Sequence, residues 1–430
     1  MEPFLRLPFD VPVKNTRPPE FHLWRPMLDL SDADDATPYS ALSTELAYMN
    51  MRATPEERLP IQSRPGPSLR ERITESDSLR EYACDTPSAL PAHLRTARWR
   101  ELVDWCEEAE GADPVHRGAL ASLLASLGLY RYLASWPLPD RPDDPHALQL
   151  AVGLTHARSV VDRTGSLLAS SVEALERVMN CGDLPPATRL GAATTLVVLH
   201  SQSRLKDVDR VTGYCREAAR HAEVLDPGKD WRDLVHLSTY WRAVSFAPFL
   251  HGDLRETDAQ LDRAEAHARR LSDGTPQERW VRAQNFHPLL ETRTKVATAL
   301  GDLDRALAFS RELRDRDWSD GKVHIQLGDV HRRRGEPELA RDAYLAAVPL
   351  GAPFRALAWS KAAQLSGDED AVYALMCAYR GDPRSVTPLL LQERVSRARG
   401  DDRLADWAGR TAVSLREDRI NEEAQCVPLS

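Results

Sequence analysis

Cationic side chains are the residues of this chain best able to do chemistry. The stretch "GDVHRRRGEPELARDAYLAA" at residues 328–347 sets His331 and three arginines before a glycine. On a helix such a run sends its side chains to different faces, so it makes no patch by itself. No aromatic–basic interleaving or zinc module accompanies it, and nucleic acid is not expected as a partner. The sequence holds no H-E-x-x-H, G-x-S-x-G, G-x-x-x-x-G-K-[ST] or G-x-G-x-x-G. Its 13 histidines are dispersed, with no i,i+4 pair of the kind a metal site favours. His200 and His236 lie on largely apolar helical stretches and read as core or interhelical hydrogen-bonding residues. The acidic run "LSDADDAT" (30–37) reads as a loop leading into helix caps rather than a metal site. "DPGKDW" has one glycine, too few for a phosphate cradle. No cofactor and no metal are expected.

Composition narrows the partner further. The 430 residues are 28% charged and 42% hydrophobic with a net charge of −9, a soluble mix without wholesale attraction to polyanions or anionic membranes. Any basic site must therefore be local. Lysine occurs only at Lys14, Lys206, Lys229, Lys295, Lys322 and Lys361, and arginine carries the rest of the positive charge, a bias suggesting a bacterial gene. The cysteines, Cys84, Cys106, Cys181, Cys215, Cys377 and Cys426, contain no C-x-x-C and are expected to stay reduced. The opening "MEPFLRLPFDVPV" lacks a basic-then-apolar leader pattern, and no stretch is apolar enough to span a membrane. A cytoplasmic protein without membrane contact is the expectation.

The elements that must position the cations follow from periodicity. Residues 1–91 are rich in proline and aromatics and read as an irregular arm with two short helices, "YSALSTELAYMNMRA" and "SLRERITESDSLREYA". From residue 92 onward apolar residues recur at three and four, with breakers between, which predicts antiparallel helical hairpins over 92–237. Over 238–418 the hairpins repeat. Gly252, Gly301, Gly335, Gly367 and Gly400 are spaced by 49, 34, 32 and 33 residues, each between two helical stretches and followed by an acidic residue. Glycine suits the reversal, and the acid suits the next helix's N-terminal dipole. Pro337 falls where a missing N–H costs nothing. Ala306, Ala340 and Ala405, five after their glycines, allow close approach of paired helices. The wide first gap leaves room for an additional short helix around "GTPQERWVRAQN", and residues 419–430 read as a tail.

These residues resemble the tetratricopeptide repeat family, most closely from Gly321 to Phe354. Leu327-Gly328, Ala340, Tyr344, Ala347 and Pro353 follow the family's order, with His324 and His331 in place of its tryptophan and tyrosine. The resemblance implies an all-α, right-handed superhelical solenoid of antiparallel hairpins whose first helices line a concave groove. Positions 13, 10, 6 and 3 before each glycine share one face of the first helix. At six before stand Phe246, Lys295, Asp329, Lys361 and Arg394; at three before, Phe249, Thr298, Arg332, Gln364 and Arg397. Lys322 joins the same face. The candidate site is therefore a cationic groove of Lys295, Lys322, Arg332, Lys361, Arg394 and Arg397, with Phe246 and Phe249 as an apolar end. Its expected partner is a peptide or protein bearing acidic or C-terminal carboxylate groups, as the resemblance implies. A homodimer is left open. Two other readings stand beside the scaffold: an enzyme or obligatory enzyme subunit whose pocket is closed by the arm, and a peptide-responsive regulator.

Overall fold

The computed structural model describes residues 28–29, 59–60, 86–90, 92–95, 97–112, 114–126, 129–139, 145–161, 166–202, 205–274, 276–350, 354–381 and 385–425. Within the arm these include only a two-residue parallel pairing of β1 (Leu28–Asp29) with β2 (Leu59–Pro60) and the short turns that follow residue 85. The two helices expected before residue 86 lie outside the described residues. Beyond residue 96 all described secondary structure is helical.

The helices form two compact units, the first ending at Asp317 and the second beginning at Trp318. The first contains α1 (Ala97–Glu108), α2 (Pro114–Ser126), α3 (Tyr130–Ala134), α4 (Pro145–Val161), α5 (Ser166–Asn180), α6 (Pro186–Gln202), α7 (Val208–Ala222), α8 (Arg232–Val244), α9 (Phe246–Leu250), α10 (Leu254–Arg269), α11 (Pro276–Leu300) and α12 (Leu303–Arg316). The second contains α13 (Gly321–Arg333), α14 (Pro337–Ala347), α15 (Arg355–Ala363), α16 (Asp368–Gly381), α17 (Val386–Ala398) and α18 (Asp402–Gln425). Helix α18 runs on through most of the stretch read as a tail.

Hairpin packing follows from the apolar periodicity. In the first unit α5 to α8 enclose a core that includes Leu175, Leu190, Leu196, Val211 and Ala243. His200 belongs here as expected: it is buried, one ring nitrogen (Nδ1) lies 2.9 Å from the Leu205 carbonyl, and burial lowers its pKa. Ahead of this core, Trp99 on α1 donates its indole N–H to the Pro87 carbonyl at 2.8 Å, which holds residues 86–90 against the helix. In the second unit, Ile325 on α13 shares a core with Ala340 and Tyr344 on α14 and Ala358 and Ala362 on α15. Ala363 and Trp359 on α15 in turn share one with Leu391 and Val395 on α17. Helices α13 and α15, the first helices of two successive hairpins, are thus neighbours.

The glycine ladder acquires a specific geometry. Gly252, Gly301, Gly335 and Gly400 adopt φ of 78°, 77°, 77° and 76°, the left-handed region where a Cβ is unfavourable. Behind three of them the next residue's N–H returns to the carbonyl five residues earlier: Asp253 to Pro248 (2.9 Å), Glu336 to His331 (3.0 Å) and Asp401 to Ser396 (2.9 Å). This closes the first helix, and the acid then opens the second. Asp253, Asp302 and Asp401 accept from the backbone N–H groups of Glu256, Arg305 and Leu404. Such a cap is worth about 1 kcal/mol. Glu336 makes no cap bond; it turns back to His331 Nδ1 at 2.6 Å and to Arg334 Nε at 2.9 Å, while Pro337 begins the helix. Gly367 keeps the spacing but has no positive φ, and its carbonyl accepts from Ala371 N–H at 2.8 Å to start α16.

The wide gap holds no additional short helix. Residues 276–300 form one 25-residue helix that carries Pro288 inside it. Every residue from 284 to 294 is buried, so tertiary contact on all sides sustains the helix through the proline. Arg293 ties it to α10 through Asp262 (2.7 Å) and Glu265 (2.9 Å).

Candidate binding face on the first helices

The Gly321 hairpin shows how the sequence fixes this face. A Cβ added at Gly328 would fall 2.4 Å from the Tyr344 ring and 3.0 Å from the Ala340 carbonyl, so only glycine admits this approach of α14 to α13. Tyr344, Ala340 and Ala347 are each 0% exposed. Ala306 and Ala405 are buried at the equivalent points of their own hairpins. His331, at the family's tyrosine position, is buried and held by Glu336. His324, at the tryptophan position, instead reaches the Trp318 carbonyl at 2.7 Å. Pro353 lies outside the described residues.

The repeats are tetratricopeptide-like. No protein-family model and no curated protein matches the sequence. Among solved structures, all three of the following are tetratricopeptide-repeat proteins. The human IFIT1 dimer with PPP-AAAA aligns over 92% of this chain and 97% of its own, at 11% identity and a TM-score of 0.37. MamA aligns over 40% and 96%, at 17% identity and 0.31. The APC/C hetero-tetramer Cut9-Hcn1 aligns over 87% and 74%, at 11% identity and 0.32. At these TM-scores the repeat assignment rests on the turn and packing geometry above.

In the second unit the face carries four rows along α13, α15 and α17. Thirteen before each glycine stand Lys322, Phe354 and Thr387; ten before, Ile325, Leu357 and Leu390. Six before stand Asp329, Lys361 and Arg394; three before, Arg332, Gln364 and Arg397. Lys361 crosses from α15 to α13, donating to Asp329 Oδ1 at 2.6 Å, with its ammonium 5.5 Å from the centre of the Tyr344 ring. Tyr344 donates to the same oxygen at 2.7 Å, and burial followed by that carboxylate pushes the phenol's pKa up. Lys361 is therefore spent on joining two first helices. Arg332 and Arg394 are exposed and carry no ion pair among the described residues. Arg397 is exposed too, 2.9 Å from Glu393 and 4.0 Å from Asp406. Lys322 is half-buried, its backbone N–H donating to the Asp320 cap at 2.8 Å.

The first unit presents the face differently. Lys295 is exposed, but Phe246 is buried and Phe249 packs against the core of Leu261, Phe286 and Leu289. Phe246 thus serves packing, not contact with a partner. Ten before Gly252 and Gly301 stand Arg242 and Glu291, which are 4% and 2% exposed. Burial lowers the Arg242 pKa to about 10 against the opposing pull of Glu291. Beside them His287 Nδ1 lies 3.2 Å from Asp317 and Nε2 lies 3.6 Å from Glu291. Burial alone would lower the imidazole pKa, yet the two carboxylates outweigh it and raise it to about 9. Sequence reasoning missed this cluster. Its signal was there, since Arg242 and Glu291 hold equal ladder positions with opposite charge.

Burial pushes Cys106 and Cys215 up to about 12, far from the thiolate form a nucleophile needs.

Proposed function

We propose that this chain is a binding scaffold that docks an acidic peptide or protein segment on the first-helix face of its second unit. The observation that carries the reading is the pair of exposed arginines without ion pairs, Arg332 and Arg394. They lie on the face whose neighbouring first helices the Lys361–Asp329 bridge joins. Guanidinium groups suit carboxylates because their donors match both oxygens. Arg397 extends the cationic field, whereas the Lys322 ammonium is buried. Lys361 keeps a positioning role, because its charge is already engaged.

The test is fluorescence anisotropy with a labelled glutamate-rich peptide against the full chain. Arg332→Glu/Arg394→Glu is expected to weaken binding by about tenfold or more, chiefly through the loss of charge complementarity. Unchanged affinity in the double variant removes the assignment.

A further inference from the structure

The corner of the first unit where α5 ends, α6 begins and α7 ends gathers polar groups that the fold leaves unused. Helices α6 and α7 pair as a hairpin, closed by the Asp207 N–H on the His200 carbonyl at 3.2 Å. The start of α6 therefore meets the end of α7. The first residue of α6 whose N–H bonds backward is Arg189, to the Pro185 carbonyl at 3.2 Å. Pro185 and Pro186 have no N–H, and those of Ala187 and Thr188 make no hydrogen bond among the described residues. Thr188 is 8% exposed, and its hydroxyl is likewise unbonded among them. The Arg189 side chain is half-buried with its Nε out of water, and it has neither ion pair nor hydrogen bond among the described residues. A helix N-terminus beside an idle guanidinium suits an oxyanion.

His221, on the last turn of α7, narrows the choice of oxyanion. It is 9% exposed, and its Nε2 is buried with no partner. The Met179 carbonyl at the end of α5 is its hydrogen-bonding neighbour, so that carbonyl meets Nδ1 and holds the ring proton there. Nε2 is left as an acceptor. Burial, and then the adjacent Arg189 charge, hold the ring's pKa below its ordinary value, which keeps the imidazole neutral. Glu217, the carboxylate nearby, is taken by Arg220 at 2.8 Å. Several donors thus surround one lone-pair acceptor. We infer that this corner binds inorganic phosphate in its singly protonated form. Arg189, Thr188 and the two backbone N–H groups donate to the bare oxygens, and the remaining O–H of the ion donates to His221 Nε2. Sulfate has a similar size and charge but no proton to give. A phosphate monoester lacks one too above its second pKa of about 6.

The probes are sodium phosphate, sodium sulfate and methyl phosphate, titrated calorimetrically into the full chain at about pH 7.5, where the imidazole is neutral. Phosphate is expected to bind about tenfold more tightly than either other anion, since each of those leaves the buried Nε2 unpaired. Arg189→Gln, at a side chain that holds nothing else in place, weakens phosphate by about tenfold or more. His221→Phe brings phosphate down to the level of sulfate and leaves sulfate unchanged. In the unaltered chain, the nitrogen NMR resonance of His221 Nε2 shifts on adding phosphate and stays in place on adding sulfate. That readout is independent of any folding defect in a variant. Absence of phosphate binding, or phosphate affinity indifferent to Arg189→Gln, overturns the inference. So does equal affinity for phosphate and sulfate or methyl phosphate, or a His221 resonance that phosphate does not move.

Discussion

At the scale of single residues, the charges in the first unit hold structure together. Arg242 and Glu291 lie on a first-helix face yet are buried, because residue type says nothing of what the neighbouring helices cover. Breaking a buried pair strands the surviving charge, at a cost of about 3–5 kcal/mol. His287 makes this cluster pH-dependent in a definite direction. Its folded pKa is raised to about 9 from the ordinary imidazole value of 6.5, so the bound proton stabilises the native state fully below 6.5. That contribution is lost as pH climbs through 9. Urea denaturation is expected to show stability falling from pH 6.5 to pH 9.5, with a flatter profile in His287→Asn. Identical slopes in the two proteins would mean that the imidazole carries no shifted proton.

Among elements, the hairpin was the most legible. Glycine, acid and small-residue spacing identified the turns, and the positive φ at Gly252, Gly301, Gly335 and Gly400 supplies the reason. Gly367 shows the limit of spacing as a guide. It falls on the ladder yet begins a helix instead of ending one in the left-handed region. Gly335→Ala is therefore expected to destabilise the chain by about 1–2 kcal/mol, and Gly367→Ala to cost less. Equal midpoints of chemical denaturation for the two variants would contradict the turn assignment. The long helix α11 was illegible for a different reason. Pro288 reads as a breaker, and only burial from residue 284 to residue 294 keeps the helix continuous. The proposed face was read from sequence as a stripe of charge. Its apolar row was not, since Leu357 and Leu390 look like core residues until their exposure is known.

For the whole molecule, the net charge of −9 makes a local cationic face selective. The proposed acidic partner would be repelled by most of the surface and attracted by a small part of it, an interaction that salt weakens. No described helix is long and apolar enough to cross a membrane. Each unit has its own core, and the two use the same helical face in opposite ways: buried ion pairs in the first, exposed leucines and arginines in the second. The most direct measurement of the central claim is hydrogen–deuterium exchange on the full chain, with and without the glutamate-rich peptide. Binding on the first-helix face predicts added protection in α13, α15 and α17, and little change in α14, α16 and α18. Protection confined to α14, α16 and α18, or none anywhere in the second unit at saturating peptide, would contradict it.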